Sequence, residues 1–168
     1  MNTCNHPIIF GKLSVILCQK DKQENLLKDL KGHAFLTPQK DFILIQKNWP
    51  LFPYLKVKDQ VLLNLSENKK ERLAYQEKLK IDSLLLNKES DQLSLFEKIK
   101  LQLLHALLAK KEKIIIEDLL DRLSVSDTQE LLDLLNYVAK SKKIAILLLT
   151  HDETIAHSPY ITHLHDER

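Results

Sequence analysis

Apolar residues fall along this chain in two rhythms. Short unbroken runs occur at Phe42–Gln46 (FILIQ), Lys113–Ile116 (KIII) and Ile144–Thr150 (IAILLLT), the second with three β-branched residues in succession. Runs of that length predict strands buried on both faces, as in a parallel sheet. Residues 8–17 (IIFGKLSVIL) read as two short strands, or as one strand broken by a turn at Gly11-Lys12. Elsewhere the apolar positions recur every three or four residues. That spacing predicts a short helix over NLLKDLKG closed by Gly32. It also predicts a helical region from Lys58 to about Lys110, with one long helix at Ser94–Ala109, and a further helix over Asp127–Lys140. The strand, helix and strand from Ile114 to Thr150 form a unit expected to be parallel and right-handed. Tyr160–Leu164 reads as a last edge strand. Asn48–Tyr54 (NWPLFPY) is a loop, because Pro50 and Pro53 both interrupt regular structure.

The fold class that follows is α/β, a mostly parallel sheet flanked by helices. A core at about 8–48 and 110–168 carries an inserted helical region at about 49–109. The chain has 168 residues, enough for one domain with a proper core. Lys and Arg outnumber Asp and Glu by 25 to 23, and the lysines are scattered rather than gathered with aromatics, so no nucleic-acid partner is expected. Cys4 and Cys18 have neither metal nor redox spacing, and with no signal peptide they fit a reducing cytosol. No apolar run is long enough to span a bilayer. Glycine is the exception to an ordinary composition: it occurs only at Gly11 and Gly32, against about 7% in average chains.

Candidate chemistry lies at the strand exits. Glu117 and Asp118 follow one buried strand, and His151 and Asp152 follow the other. Open α/β sheets bind ligands at that carboxyl edge, and two acids with an imidazole there fit a nucleotide-type site. The plain alternative is that Glu117 and Asp118 are acids closing a strand, one of them capping the next turn, and that His151 simply ends its strand. His157, His163 and His165 match no common zinc spacing.

In order and spacing these segments resemble an ATP-binding-cassette nucleotide-binding domain over nearly the whole chain. Phe42–Val61 resembles the glutamine-loop region, with Gln46 at the glutamine position. Leu93–Leu108 resembles the signature motif and its helix. It keeps Leu93 and Ser94, has Leu95 and Phe96 at the two glycines, and has Glu97 at the glutamine. Ile114–Ser124 resembles the Walker B strand and D-loop, with the acidic pair in reversed order as Glu117-Asp118 and Ser124 at the D-loop aspartate. Ile146–Asp152 resembles the strand leading to the switch histidine, His151. The resemblance implies a P-loop-NTPase-like fold with an inserted helical subdomain. Little of the family's N-terminal antiparallel sheet precedes residue 8. For an active domain it implies ATP and Mg²⁺ as cofactors, Gln46 and Glu117 as metal ligands, and Asp118 and His151 as catalytic groups. Apolar side chains at Leu95 and Phe96 would block a paired domain's nucleotide, or form a dry dimer contact.

The phosphate-loop slot departs most from the family. Residues 17–25 (LCQKDKQEN) stand where a G-x-x-x-x-G-K-[ST] loop belongs. The slot has no glycine; Gln23 takes the lysine position, and Glu24 and Asn25 take the hydroxyl positions. Lys20 and Lys22 are the nearby cations left to meet phosphate. Without glycine the backbone resists the convergent N–H nest that phosphate needs, and Glu24 sets a carboxylate where phosphate charge belongs. Asp21-Lys22-Gln23-Glu24 reads instead as a capping box, in which the chain supplies its own anions to the first helix.

The expected function is a degenerate cassette subunit, an interaction or regulatory module with no cofactor, working with a transmembrane permease at the cytoplasmic face of the membrane. It would pair as a homodimer or heterodimer with another such domain. The alternatives are a weak ATPase, or one half of an asymmetric pair whose partner supplies the competent loop. Trp49, Leu51, Phe52 and Tyr54 crowd the loop with which the family meets membrane subunits, and a loop seldom exposes such a cluster without a partner. The plain reading of the same cluster is packing beneath the helical region.

Overall fold

The computed structural model describes residues 8–36, 42–63, 65 and 68–168; Cys4 lies outside them. The chain divides into two compact units, one built from the N-terminal part up to Leu44 together with Glu112–Arg168, the other from Ile45–Lys111.

The first unit is organised by a five-stranded sheet. Its strands are β1 (Leu13–Leu17), β2 (Phe42–Ile45), β3 (Lys113–Ile116), β4 (Ala145–Thr150) and β5 (His163–Asp166), in the order β2-β3-β4-β1-β5. β4 pairs in parallel with β1 and β3, and β1 pairs in parallel with β5. Every residue of β1 and β4 is buried, as the unbroken apolar runs require of strands covered on both faces. On one face, Ile16, Ile115, Leu147 and Leu149 pack with Leu26, Leu27 and Leu30 of helix α1 (Lys20–Leu36). Helix α6 (Val125–Lys142) and the short helix α7 (Glu153–Ala156) pack against β1 and β4. The β3–α6–β4 unit is the parallel crossover that the sequence pattern predicts.

Several boundaries differ from the expected ones. Only Leu13–Leu17 of the first apolar run is a strand; Gly11 has φ +77° and turns the chain just before it. Helix α1 begins at Lys20, inside the polar stretch, and continues through Gly32 to Leu36. A glycine inside a helix costs only about 1 kcal/mol, and the apolar face packed on the sheet outweighs it. The last strand starts at His163, three residues later than the pattern suggests.

The second unit is helical: α2 (Val57–Val61), α3 (Lys69–Lys78), α4 (Ser83–Leu86) and α5 (Leu95–Leu108). Helix α5 forms its core, with Ile99, Leu101, Leu103, Leu104 and Ala106 fully enclosed. Three helices, α3, α5 and α6, are followed by a lysine in the left-handed region, where glycine is the usual residue. Lys80, Lys110 and Lys143 all have φ near +55°, and Lys80 and Lys110 sit in closed turns sealed by Ile81 N–H to Gln76 O and Lys111 N–H to Ala106 O.

Candidate functional site

Strand β1 passes into helix α1 through only two residues, Cys18 and Gln19. The Cys18 N–H donates to the Thr150 carbonyl at 2.9 Å, extending the β1–β4 pairing, and the Lys22 N–H closes the first turn on Gln19 O at 3.0 Å. Helix therefore occupies residues 20–25, where the resemblance placed a phosphate loop. A two-residue link has too few backbone N–H groups to wrap around a phosphate.

One turn into the helix, Gln23 bends back. Its Nε2 donates to the Cys18 carbonyl at 3.0 Å and to Asp118 Oδ2 at 2.8 Å. Asp118 lies just beyond β3 and its side chain is 5% exposed. The same oxygen also accepts from His151 N–H at 3.2 Å and meets His151 Nδ1 at 2.5 Å. Asp118 Oδ1 is buried with no hydrogen-bond partner. His151 Nε2 stands 3.9 Å from Asp121 Oδ2, and that oxygen is 3.6 Å from Lys20 Nζ. The exits of β1, β3 and β4 are thus tied together by Gln23, Asp118 and His151, with Asp121 and Lys20 on the outer side.

An open cleft of about 430 Å³ adjoins this cluster, lined by Cys18, Gln19, Lys20, Asp21, His151 and Arg168. The guanidinium of Arg168 is held by Asp166 and also pairs with Glu153, and it draws the Asp166 carboxyl down to about 2. Burial, reinforced by the nearby Glu167 carboxylate, pushes the Cys18 thiol up.

The structure brings together Lys20, Gln23, Asp118 and His151 from the expected set and adds Asp121, which the sequence reading did not single out. Its only signal was a second carboxylate three residues after Asp118. Glu117, Lys22 and Glu24 make no hydrogen bond or ion pair with this cluster among the described residues. Lys22 lines a smaller cleft of about 230 Å³ beside Asn25 and Glu167. Glu24 pairs with Lys28 on the helix surface at 3.2 Å. The expected capping box is corrected accordingly: Asp21 is already inside the first helical turn, so it is not placed as a cap, and Glu24 faces down the helix instead of back. Ser124, at the D-loop aspartate position, caps α6 by accepting from Asp127 N–H at 3.0 Å.

Gln23 spends its amide donors on the chain itself. The Asp118 Oδ1 oxygen is enclosed. No group of three or more His, Cys, Asp or Glu is placed to hold a metal ion among the described residues.

Gln46 belongs to the helical unit, and its backbone is clamped there. Gln102, 2% exposed on α5, accepts from Gln46 N–H at 3.1 Å and donates to Gln46 O at 2.8 Å. Gln102 was legible only as a lone polar residue on the apolar face of LQLLHALL. Trp49 and Leu51 are half-buried, Trp49 with its ring centroid 6.5 Å from that of His105. Phe52 and Tyr54 are 70% and 90% exposed. Leu93 is buried. Ser94 caps α5 in a reciprocal box with Glu97, whose N–H donates to Ser94 Oγ at 3.1 Å while Glu97 Oε1 accepts from Ser94 N–H at 3.0 Å. Lys88 reaches Glu97 at 2.9 Å. Burial alone would raise the Glu97 carboxyl; the Ser94 N–H and the Lys88 ammonium outweigh it and hold it low.

Solved structures share this fold. The dimeric cassette MJ0796, described as a bacterial ABC transporter cassette, superposes with a TM-score of 0.70 at 16% identity, covering 95% of this chain and 82% of that one. The same cassette bound to ADP and phosphate gives 0.69 at 14% identity, covering 89% and 78%. The cbiO1 protein from Clostridium perfringens, part of the ABC transporter complex cbiONQ, gives 0.77 at 17% identity, covering 94% and 73%. At such identities the likeness concerns the fold, which is that of an ABC ATPase. No curated protein matches the chain. The model of the KAP family P-loop domain matches residues 8–163, nearly the whole length, and the chain belongs to that family.

Proposed function

We propose that this chain is a cassette-like P-loop domain that does not hydrolyse ATP, and that it serves as an interaction or regulatory module beside a membrane permease subunit. The observation that carries the reading is the Gln23–Asp118 hydrogen bond. At the position of a phosphate-binding lysine, a neutral amide links α1 to the acid beyond β3, so the chain fills its own anion site. With the helix begun at Lys20 and the connecting link only two residues long, neither ATP nor Mg²⁺ is required as a cofactor.

The partner side of the proposal draws on the structural relatives. One is a dimer, and another is part of a transporter complex. By that analogy this domain pairs with a second cassette domain, its own copy or another, and works at the cytoplasmic face of the membrane. The loop containing Trp49, Leu51, Phe52 and Tyr54 is its membrane-side contact. No helix among the described residues is long and apolar enough to cross a membrane. A second reading is favoured by the placement of Asp118 and His151 at adjoining strand exits. In it the chain is a weak ATP binder, or half of an asymmetric pair whose partner supplies the phosphate loop.

Isothermal titration with ATP, with and without Mg²⁺, separates the two. No binding heat is expected from the wild type or from Gln23→Lys, since the lysine restores charge but not the backbone cradle. Saturable binding at submillimolar ATP overturns the proposal in favour of the second reading.

A further inference from the structure

The overall charge of +2 hides a partition between the two units. Residues 45–111 hold 13 Lys and Arg against 8 Asp and Glu, a net of +5, leaving −3 for the rest of the chain. Within the basic unit, residues 47–58 contain Lys47, Lys56 and Lys58 and no acid. All three lysines are exposed. The same short stretch exposes Phe52, Tyr54 and Leu55 at 70%, 90% and 48%.

The stretch is also firmly built. The Gln60 side chain accepts from Phe52 N–H at 2.6 Å and donates to Phe52 O and Leu55 O at 2.9 and 3.1 Å. Ser90 Oγ donates to the same Phe52 carbonyl at 3.0 Å. Lys56 and Glu89 form an isolated bridge. Fixing this backbone before any encounter lowers the entropy lost when its apolar tip is buried.

We propose that this lysine-flanked tip binds an anionic lipid surface, with Phe52, Tyr54 and Leu55 at the headgroup–acyl boundary and Lys47, Lys56 and Lys58 over the acidic headgroups. Tyrosine, with an apolar ring and a wet hydroxyl, favours that boundary, phenylalanine and leucine supply the apolar face, and lysine attracts anionic lipid over about a Debye length. Charge complementarity selects lipid over a neutral protein groove, and the net +5 of the whole unit acts in the same direction. The inference rests on the membrane-side reading of this loop and adds lipid to its contacts; it is independent of whether nucleotide binds.

Co-sedimentation of the full chain with vesicles tests it. Phosphatidylcholine vesicles with about one third phosphatidylserine should bind the protein, and pure phosphatidylcholine vesicles should not. Phe52→Ser with Tyr54→Ser should abolish the binding. Each of Lys56→Gln and Lys58→Gln should weaken partitioning about fivefold, and high salt should release the protein. These positions are exposed, and unchanged melting temperatures will show that the variants fold. Equal binding to neutral and acidic vesicles, or equal binding by the variants, overturns the proposal. Absence of vesicle binding while the chain still co-purifies with a permease through this loop also overturns it, and leaves the protein-contact reading standing.

Discussion

Gln23 Nε2 lies 2.8 Å from Asp118 Oδ2, so a neutral amide on α1 holds the buried acid that follows β3. The same nitrogen holds the Cys18 carbonyl, and one side chain therefore joins three segments at the sheet's carboxyl edge. Gln23→Leu leaves both acceptors without this donor. It should destabilise the protein by about 1–3 kcal/mol, measured by urea unfolding. Gln23→Glu should cost more, because it sets a second carboxylate against Asp118 in an enclosed site. A neutral effect of both substitutions would contradict the linking role.

Gln102 should be the main support of the loop that begins at Gln46. Gln102→Leu keeps the volume but leaves the Gln46 N–H and C=O unpaired next to an apolar helix face. A loss of about 1–3 kcal/mol is expected, with amide hydrogen exchange rising first at residues 46–55.

Two titrations give stability opposite pH signs. The Glu97 carboxyl is held below its ordinary 4.5 in the fold. Its contribution is therefore complete above that value and is lost as acid protonates the folded form. Glu97→Gln should flatten the acid limb of the stability curve. The Cys18 thiol is raised above its ordinary 9.0, so the fold favours the neutral thiol. Stability should fall as pH rises past 9.0, and Cys18→Ala should remove that alkaline slope.

Lys143 ends α6 with φ 55°, a conformation in which an L side chain crowds its own backbone. Lys143→Gly should stabilise the protein by about 0.5–1 kcal/mol, the relief of strain exceeding the added chain entropy. A rise in melting temperature is the readout; a fall would mean that the lysine side chain makes a compensating contact.

The pattern of unbroken apolar runs was enough to determine the buried strands β3 and β4, the β3–α6–β4 crossover and the α/β class; the third run, β2, lies at the sheet's edge, where Ile43 and Leu44 are only half-buried. Their shortness and β-branched content, not periodicity alone, mark such runs as strands. The helix over Leu95–Leu108 was equally legible from its three- and four-residue leucine spacing, whereas the Ser94–Glu97 cap emerged only in the structure. Asp118 and His151 could be singled out for their places at strand exits, and Gln46 by the family resemblance. What sequence could not determine was where α1 begins. The polar residues QKDKQE have no periodic apolar face, so their helix is decided by the strand before them and the packing of Leu26, Leu27 and Leu30 after them. Nor could it show that Gln23 meets Asp118, residues that lie far apart along the chain and are joined only by strand order. The basic bias of the helical unit was hidden for the same reason: a near-neutral total becomes an asymmetry only once the fold decides which residues share a body.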